Sequence, residues 1–398
     1  MAGSSKSGTR NSWLEVLKVS LKLGLTSFGG PAAHLGYFHG EYVRKRKWMD
    51  ERSYADLVAL CQFLPGPASS QVGIGIGTVR AGLVGGIAAW IGFTMPSVIA
   101  LALFAMLLQS FDLAGESWIH GLKIVAVAIV AHAIAGMGQK LTPDRSRISI
   151  AVAASVVTLL VPNAAGQIIV LLLAAACGWI WFRRQAEADV PVLDVPVSRR
   201  TAIVCLVLFF GLLAALPLLR GWISSHWLAV FDSYYRSGSL VFGGGHVVLP
   251  FLEKETVAAG WVSKEAFLAG YGATQAVPGP LFTFASYLGA IDGGWIGAAV
   301  ATFAIFLPAY LLVTGTLPFW NVIRTSPALQ GVLAGVNAAV VGLLLAALYD
   351  PLWTSAIGST ADFAWAAVLY TMLAYWKVPP WIVVVTGALG GMGLAVLQ

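Results

Sequence analysis

Apolar positions along this chain run in long unbroken stretches, and polar ones gather in short gaps between them. No Asp, Glu, Lys or Arg occurs within 57–79, 81–111, 148–182, 201–219, 266–291, 293–323 or 325–349. A bilayer core of roughly 30 Å takes about 20 apolar residues in a helix, and several stretches supply that or more. Strong alternation of apolar and polar residues is absent, which argues against an outer-membrane barrel. The pattern predicts an all-α polytopic membrane protein. Composition agrees: 58% of the 398 residues are hydrophobic and 11% charged, against about 25% charged in soluble domains.

The pattern also repeats. Phe28-Gly29-Gly30 aligns with Phe242-Gly243-Gly244, Glu41 with Glu255, and Trp48 with Trp261. Gln62 then aligns with Gln275, Pro65-Gly66-Pro67 with Pro278-Gly279-Pro280, and Pro96 with Pro308. Later parts match only in hydropathy, each ending in an apolar hairpin that turns at 161–163 or at 377–380. This order divides the chain into a first repeat at 1–182, a linker plus one extra apolar helix at 183–219, and a second repeat at 220–398. A single crossing between two evenly crossing halves inverts the second against the first. Arg44, Lys45, Arg46, Lys47 and Arg52 crowd the first polar loop, whereas Lys264 is the one basic residue of its counterpart at 255–265. Basic residues mark cytoplasmic loops, so the expectation is an inverted-topology repeat with a cytoplasmic amino terminus. The motif segments either dip in and return or cross fully, and the charge placement favours re-entry.

Pro-Gly-Pro inside an apolar run breaks a helix. Pro65 ends the helix before it, Gly66 lets the backbone turn, and Pro67 suits the first position of the next helix. Each break leaves free amides at a new helix start: Ala68, Ser69 and Ser70 in one copy, Leu281, Phe282 and Thr283 in the other. Helix N-termini attract oxyanions without a formal cation, and polar backbone at membrane depth must line a cavity or pack on protein. Hydroxyls of Ser69, Ser70 and Thr283 and carboxamides of Gln62, Gln71 and Gln275 add neutral donors. Two inverted copies converge such tips on a central substrate site. Phe28, Gly29, Gly30, Phe242, Gly243, Gly244 and Gly245 form a second pair of breaks, or serve close helix packing.

Single residues carry less. Arg80 either draws an anion or anchors a helix end, and Gly293 lines up opposite it. His246 is placed to titrate during transport, or is structural. Glu41 and Glu255 are gating candidates. Trp48 and Trp261 read as interface anchors. Cys61, Cys177 and Cys205 are isolated in apolar surroundings, so neither disulfides nor a metal site are expected. The net charge of +6 reflects loop bias and points to no nucleic acid. The amino terminus lacks a compact apolar core with a cleavage site, so no cleaved signal peptide is expected.

The segments "FGGPAAHLGYF", "QFLPGPASSQVGIGIGTVRAGLVGG", "VFGGGHVVLPFLE" and "QAVPGPLFTFASYLG" resemble the paired signature segments of the chromate ion transporter family in its full-length, two-domain form. The resemblance runs from about Trp13 to the end. It implies a multi-pass protein of the bacterial inner membrane that exports chromate and confers resistance, with sulfate as the nearest competitor and no cofactor. It also implies functional roles for the glycine/proline motifs and for the arginine at position 80. The first copy reads Phe-Gly-Gly-Pro and the second Phe-Gly-Gly-Gly-His, so the two sites need not be equivalent. The lipid bilayer is the expected partner, and a homodimer is allowed. No Walker motif occurs and the aspartates lie at segment ends, so potential-driven export is expected first and ion antiport second. A sulfate or other oxyanion transporter, or a channel, is the alternative; a membrane redox enzyme fits least, for want of paired cysteines or haem-ligand histidines.

Overall fold

The structure, a computed structural model, describes residues 12–110, 117–161, 164–182, 197–242, 244–320, 323 and 326–397. Most of the linker and Gly243 lie outside the described residues. The described chain is helical. Its elements are α1 (Ser12–Thr26), α2 (Gly30–Phe38, continued by a π turn His39–Lys45), α3 (Glu51–Phe63), α4 (Ala68–Ser110), α5 (Ser117–Leu141), α6 (Arg145–Leu160) and α7 (Ala164–Trp181). There follow α8 (Arg199–Trp222), α9 (His226–Leu240), α10 (Val248–Leu252, continued by a π turn Glu253–Val257), α11 (Lys264–Thr274) and α12 (Phe284–Thr316). The last three are α13 (Pro327–Ala347, continuing to Ala356), α14 (Thr360–Ala374) and α15 (Pro380–Leu397).

Several starts are set by side-chain caps, as expected where apolar helices leave the bilayer. Ser198 accepts from the Thr201 amide at α8, Ser263 from Ala266 at α11, and Ser359 with Asp362 forms a capping box at α14. Among the described residues, five stretches are long and apolar enough to cross a membrane: Ala68–Ser110, Ser117–Leu141, Arg199–Trp222, Leu281–Phe319 and Pro327–Ala356. Apolar side chains also face outward, Val207 at 64% exposure and Leu172 at 65% among them, which a lipid-facing surface accounts for. The protein is a multi-pass membrane protein.

Contacts within the chain fold its motif segments into hairpins. Ser20 Oγ lies 3.0 Å from Tyr42 Oη, and Lys22 Nζ lies 3.0 Å from Glu41. The two pairs share nearly the same midpoint in the sequence, at Pro31 just past the Gly-Gly tip, so α1 and α2 run antiparallel. Leu57 packs on Gly75 across Pro-Gly-Pro, so α3 and the start of α4 also return on themselves. A third reversal occurs inside α4, where Ala81 (φ −143°) and Gly82 (φ 66°) leave helical geometry, and Gly77 then meets Gly85 backbone to backbone. An added Cβ on Gly85 would lie 2.1 Å from the Gly77 carbonyl oxygen. The same three reversals follow α8. Arg236 reaches Glu255 at 2.8 Å, the Tyr287 hydroxyl donates to the Ala266 carbonyl at 2.8 Å, and Gly293 (φ −147°) with Gly294 (φ 59°) turns α12, bringing Gly289 against Gly297.

The parts before and after α8 are interleaved. Helix α13 packs on α6 and α7, and α5 packs on α14 and α15, with glycine contacts Gly178–Gly335 and Gly121–Gly387 at the crossings. Each long helix thus lies against the terminal hairpin of the other part.

Candidate oxyanion site

Both Pro-Gly-Pro segments form the tips that their residues dictate. Helix α3 ends two residues before Pro65 and α4 begins directly after Pro67. Gly66 has φ 112° and Gly279 φ 108°, values in the left-handed region that glycine alone adopts freely. The other two tips carry Gly29 (φ 97°), Gly30 (φ 77°) and Gly244 (φ 156°).

These four tips meet, and two reciprocal hydrogen bonds hold them. The Gly66 amide donates to the Val241 carbonyl at 2.7 Å, and the Gly279 amide donates to the Ser27 carbonyl at 3.0 Å. Ser27 and Val241 are matched residues, each directly before its Phe-Gly-Gly. A break in one part is therefore clamped by the partner break of the other. Gly279 also abuts Ser97 on α4, as Gly66 abuts Ala309 on α12.

A cavity of about 30 Å³ lies where the tips converge, walled by residues of both parts: Pro67 with Pro280, Ala68 with Leu281, and Ser69 with Phe282. Pro31, Gly244 and Gly245 complete it. A second cavity of about 30 Å³, lined by Gly29, Gly30, His246, Thr274, Gln275 and Gly279 among others, adjoins it through shared walls at Pro31 and Leu281. Among the described residues, no carboxylate, lysine or arginine lines either one. The field at the centre comes from helix starts and neutral groups, which favour an anion.

The two helix starts are unequal. On α4 the first amides are free of intrahelical partners, as at any helix start. On α12 the opening turn is tighter: the Thr283 amide and hydroxyl both bond the Pro280 carbonyl, at 3.0 and 2.7 Å, so Thr283 braces its own tip. Ser69 is 3% exposed, and its Oγ lies 3.2 Å from Nδ1 of His34. His34 is itself buried, edge-on to Phe93 at 5.3 Å. Hydroxyls of Ser27 and Ser70 are buried with no hydrogen-bond partner. The matched residues of the second part are apolar: Val241 for Ser27, Val248 for His34, Phe282 for Ser69 and Ala309 for Ser97. Ser70 is the exception, matched by Thr283; the polar side chain of the central cavity, Ser69, comes from the first part, whereas His246, Thr274 and Gln275 of the adjoining cavity come from the second.

The other expected residues divide. Gln71 Nε2 donates to the Pro65 carbonyl at 2.8 Å, tying the helix start to the break before it. Gln275 and His246 line the adjoining cavity; Gln275 Nε2 is buried without a partner, and His246 Nδ1 is 2.6 Å from Tyr271 Oη. Gln62, the match of Gln275, is exposed and lines neither cavity. Phe28 packs against Trp381 at 6.4 Å, Phe242 is half-buried, and Pro278 precedes the second tip. Gly245 rests on Leu281 and Pro31.

Arg80 stands away from the tips. It closes the first arm of α4, about 18 Å along the helix from its start at 1.5 Å per residue. There it pairs with Glu15 at 3.5 Å and lies over Trp48 at 5.4 Å. Matching turns at Ala81-Gly82 and Gly293-Gly294 put Asp292, not Gly293, opposite Arg80. Asp292 pairs with His226 at 2.8 Å. Glu41 and Glu255 also stand away from both cavities, at the bases of the hairpins. Glu41 meets Lys22 at 3.0 Å and Arg46 at 3.1 Å, and Glu255 meets Arg236 at 2.8 Å. Lys22 and Arg236 are matched positions, so the two clasps correspond.

His34 and Pro31 are not among the site residues expected from the sequence. His34 sits four residues after Gly30 on α2, and its match in the second part is the apolar Val248, so the repeat does not mark it.

The chromate transporter family profile matches twice, over residues 14–179 and 228–392. A chromate transport protein of Pseudomonas aeruginosa is 28% identical over 397 residues, covering 94% of this chain and 90% of its own length. One from Cupriavidus metallidurans is 28% identical over 87% of this chain and 84% of its own. An uncharacterized transporter of Methanocaldococcus jannaschii is 25% identical, over 84% and 83%. No solved structure matches. With both profile copies bracketing the paired tips, the chain belongs to the chromate transporter family, a family of transporters and not of enzymes.

Proposed function

We propose that this chain is a secondary transporter that exports chromate across the bacterial inner membrane and so confers resistance, with sulfate as its nearest competitor. One observation carries the reading: both Pro-Gly-Pro tips and the helix starts behind them wall a single cavity free of lining carboxylates. One water needs about 10–15 Å³ of such space, so each cavity of about 30 Å³ holds about two. An oxyanion of five heavy atoms fits the central cavity once its walls draw back, with Leu281 and Pro31 still dividing it from the adjoining one.

The two parts act as inverted repeats about this site. Ion pairs gather Glu15, Lys22, Glu41, Lys45, Arg46 and Arg80 at one set of hairpin bases, and Arg220, Asp232, Arg236 and Glu255 at the other. Helix α8 crosses once between them. The basic first set faces the cytoplasm by the charge rule, and the amino terminus lies there too. Glu41 and Glu255 close clasps on opposite faces, one to be released for each direction of access.

Moving one charge through 100 mV is worth about 2.3 kcal/mol, hence about 4.6 kcal/mol for a dianion leaving an inside-negative cell. Export driven by the membrane potential needs no other source. Proton antiport is the second reading, favoured by His246 at the adjoining cavity. Chromate uptake into inverted vesicles, with an imposed potential and excess sulfate, tests the proposal. Uptake that rises with potential and falls with sulfate is expected. Saturable uptake indifferent to potential but dependent on a proton gradient selects antiport, and absence of chromate uptake by folded protein overturns the function.

A further inference from the structure

This inference rests on the reading of the central cavity as the oxyanion site and concerns which oxyanions it takes. The hydrogen-bonding groups around that cavity are of one kind. Donors are the amides that open α4 at Ala68, Ser69 and Ser70, those of Leu281 and Phe282, and the Ser69 hydroxyl. Each of the carbonyls nearby already accepts at least one hydrogen bond within the fold. Pro65 accepts from Gln71 Nε2 at 2.8 Å and Pro67 from the Gln71 amide at 2.9 Å. Pro280 accepts twice from Thr283, Gly244 from the Val247 amide at 3.2 Å, and Gly245 from Val248. Ser27 and Val241 accept the two reciprocal tip bonds. Ser69 has the one side chain with a polar atom among the cavity's described walls, and in the tautomer that carries the proton on Nδ1 of His34, 3.2 Å from Ser69 Oγ, its O–H is free to point inward. The acceptor-bearing side chains Gln275 and His246 lie in the adjoining cavity, beyond Pro31 and Leu281.

We infer that the central cavity selects tetrahedral oxyanions that carry no proton. Chromate, sulfate and molybdate present only acceptor oxygens and satisfy every donor. Hydrogen phosphate and hydrogen arsenate keep an O–H at neutral pH, and that proton meets a wall dominated by donors, where the carbonyls are committed within the fold. A buried donor left unpaired lowers affinity on the order of 10- to 100-fold. Size does not make this distinction, since phosphate and sulfate share shape and nearly share radius.

The test is competition against chromate transport by the full chain in proteoliposomes at pH 8. Sulfate and molybdate are expected to inhibit, while phosphate and arsenate require on the order of 10- to 100-fold higher concentration. Phosphate inhibiting as well as sulfate, with chromate transport intact, overturns the inference but leaves the transport function standing. Absence of chromate transport overturns the function instead. Ser69→Asp places an acceptor among the donors, and in folded protein it is expected to narrow the sulfate-to-phosphate preference at least tenfold. An unchanged preference in folded Ser69→Asp counts against the inference, and should that variant not fold, the unmodified protein's competition series decides alone.

Discussion

A methyl group on Gly279 would meet the Ser97 hydroxyl at 2.9 Å, on a backbone held at φ 108°. At Gly66 the nearest atom is Gln71 Nε2 at 3.2 Å, with φ 112°. Left-handed geometry costs a residue with a Cβ about 1–2 kcal/mol, and Gly279 adds the clash. Gly279→Ala is therefore expected to abolish chromate flux and lower the melting temperature more than Gly66→Ala, as read by transport assay and thermal unfolding in detergent. His34 acts on the cavity through Ser69. His34→Ala is expected to weaken apparent chromate affinity about tenfold, the worth of one hydrogen bond to a charged ligand's donor, with partial rescue by His34→Asn; equal loss in both variants would mark His34 as a packing residue only. At this scale the sequence was informative about backbone and poor about side chains. Pro-Gly-Pro breaks a helix through local sterics, wherever it lies. Whether Gln62 and its match Gln275 face a cavity depends on neighbours hundreds of residues away, and one is exposed while the other lines a cavity.

Between elements, the hairpins depend on small residues at close approach and on ionic clasps at their bases. Leucine at position 85 would drive into the Gly77 carbonyl, and Gly85→Leu is expected to prevent folding of the α4 hairpin, seen as loss of monodisperse protein on size exclusion. Burial alone would raise the Glu41 pKa, but hydrogen bonds from Lys22 and Arg46 and the nearby charges outweigh it and hold the group below its ordinary value of 4.5. A carboxylate with a lowered folded pKa stabilises the fold fully above its unfolded pKa, and that stabilisation is lost as pH falls through the folded value. The Lys22–Glu41 clasp is thus expected to stay closed through neutral and mildly acidic pH and to weaken only below about pH 4.5. Glu41→Gln releases it at any pH; it is expected to raise cysteine labelling near the Gly29 tip from the first hairpin base, with Glu255→Gln doing so from the opposite face. The matched pairs Lys22–Glu41 and Arg236–Glu255 were half legible. Both glutamates aligned, but their cations lie on the preceding helix, and only the hairpin turn brings them near.

Across the whole molecule, the interleaving of α5 and α13 with the opposite terminal hairpins makes the two profile copies one folding unit. Chains 1–182 and 183–398 expressed apart are expected to be inactive singly and to recover flux when coexpressed, measured in everted vesicles. The topology has its own check: cysteines at Lys45 and Lys264 are expected to label from opposite faces of the membrane.

Long apolar stretches and duplicated breaks determined from the sequence alone that this is a polytopic helical membrane protein with paired interruptions, because desolvation of the backbone and the sterics of proline and glycine act on local sequence. The tertiary structure alone decided that the breaks clamp each other through Gly66 and Gly279, that Ser69 of the first copy lines the central cavity while His246 and Gln275 of the second line the adjoining one, and that Arg80 belongs to a hairpin base. Those outcomes rest on contacts between distant segments, where a one-residue shift in a turn exchanges one neighbour for another.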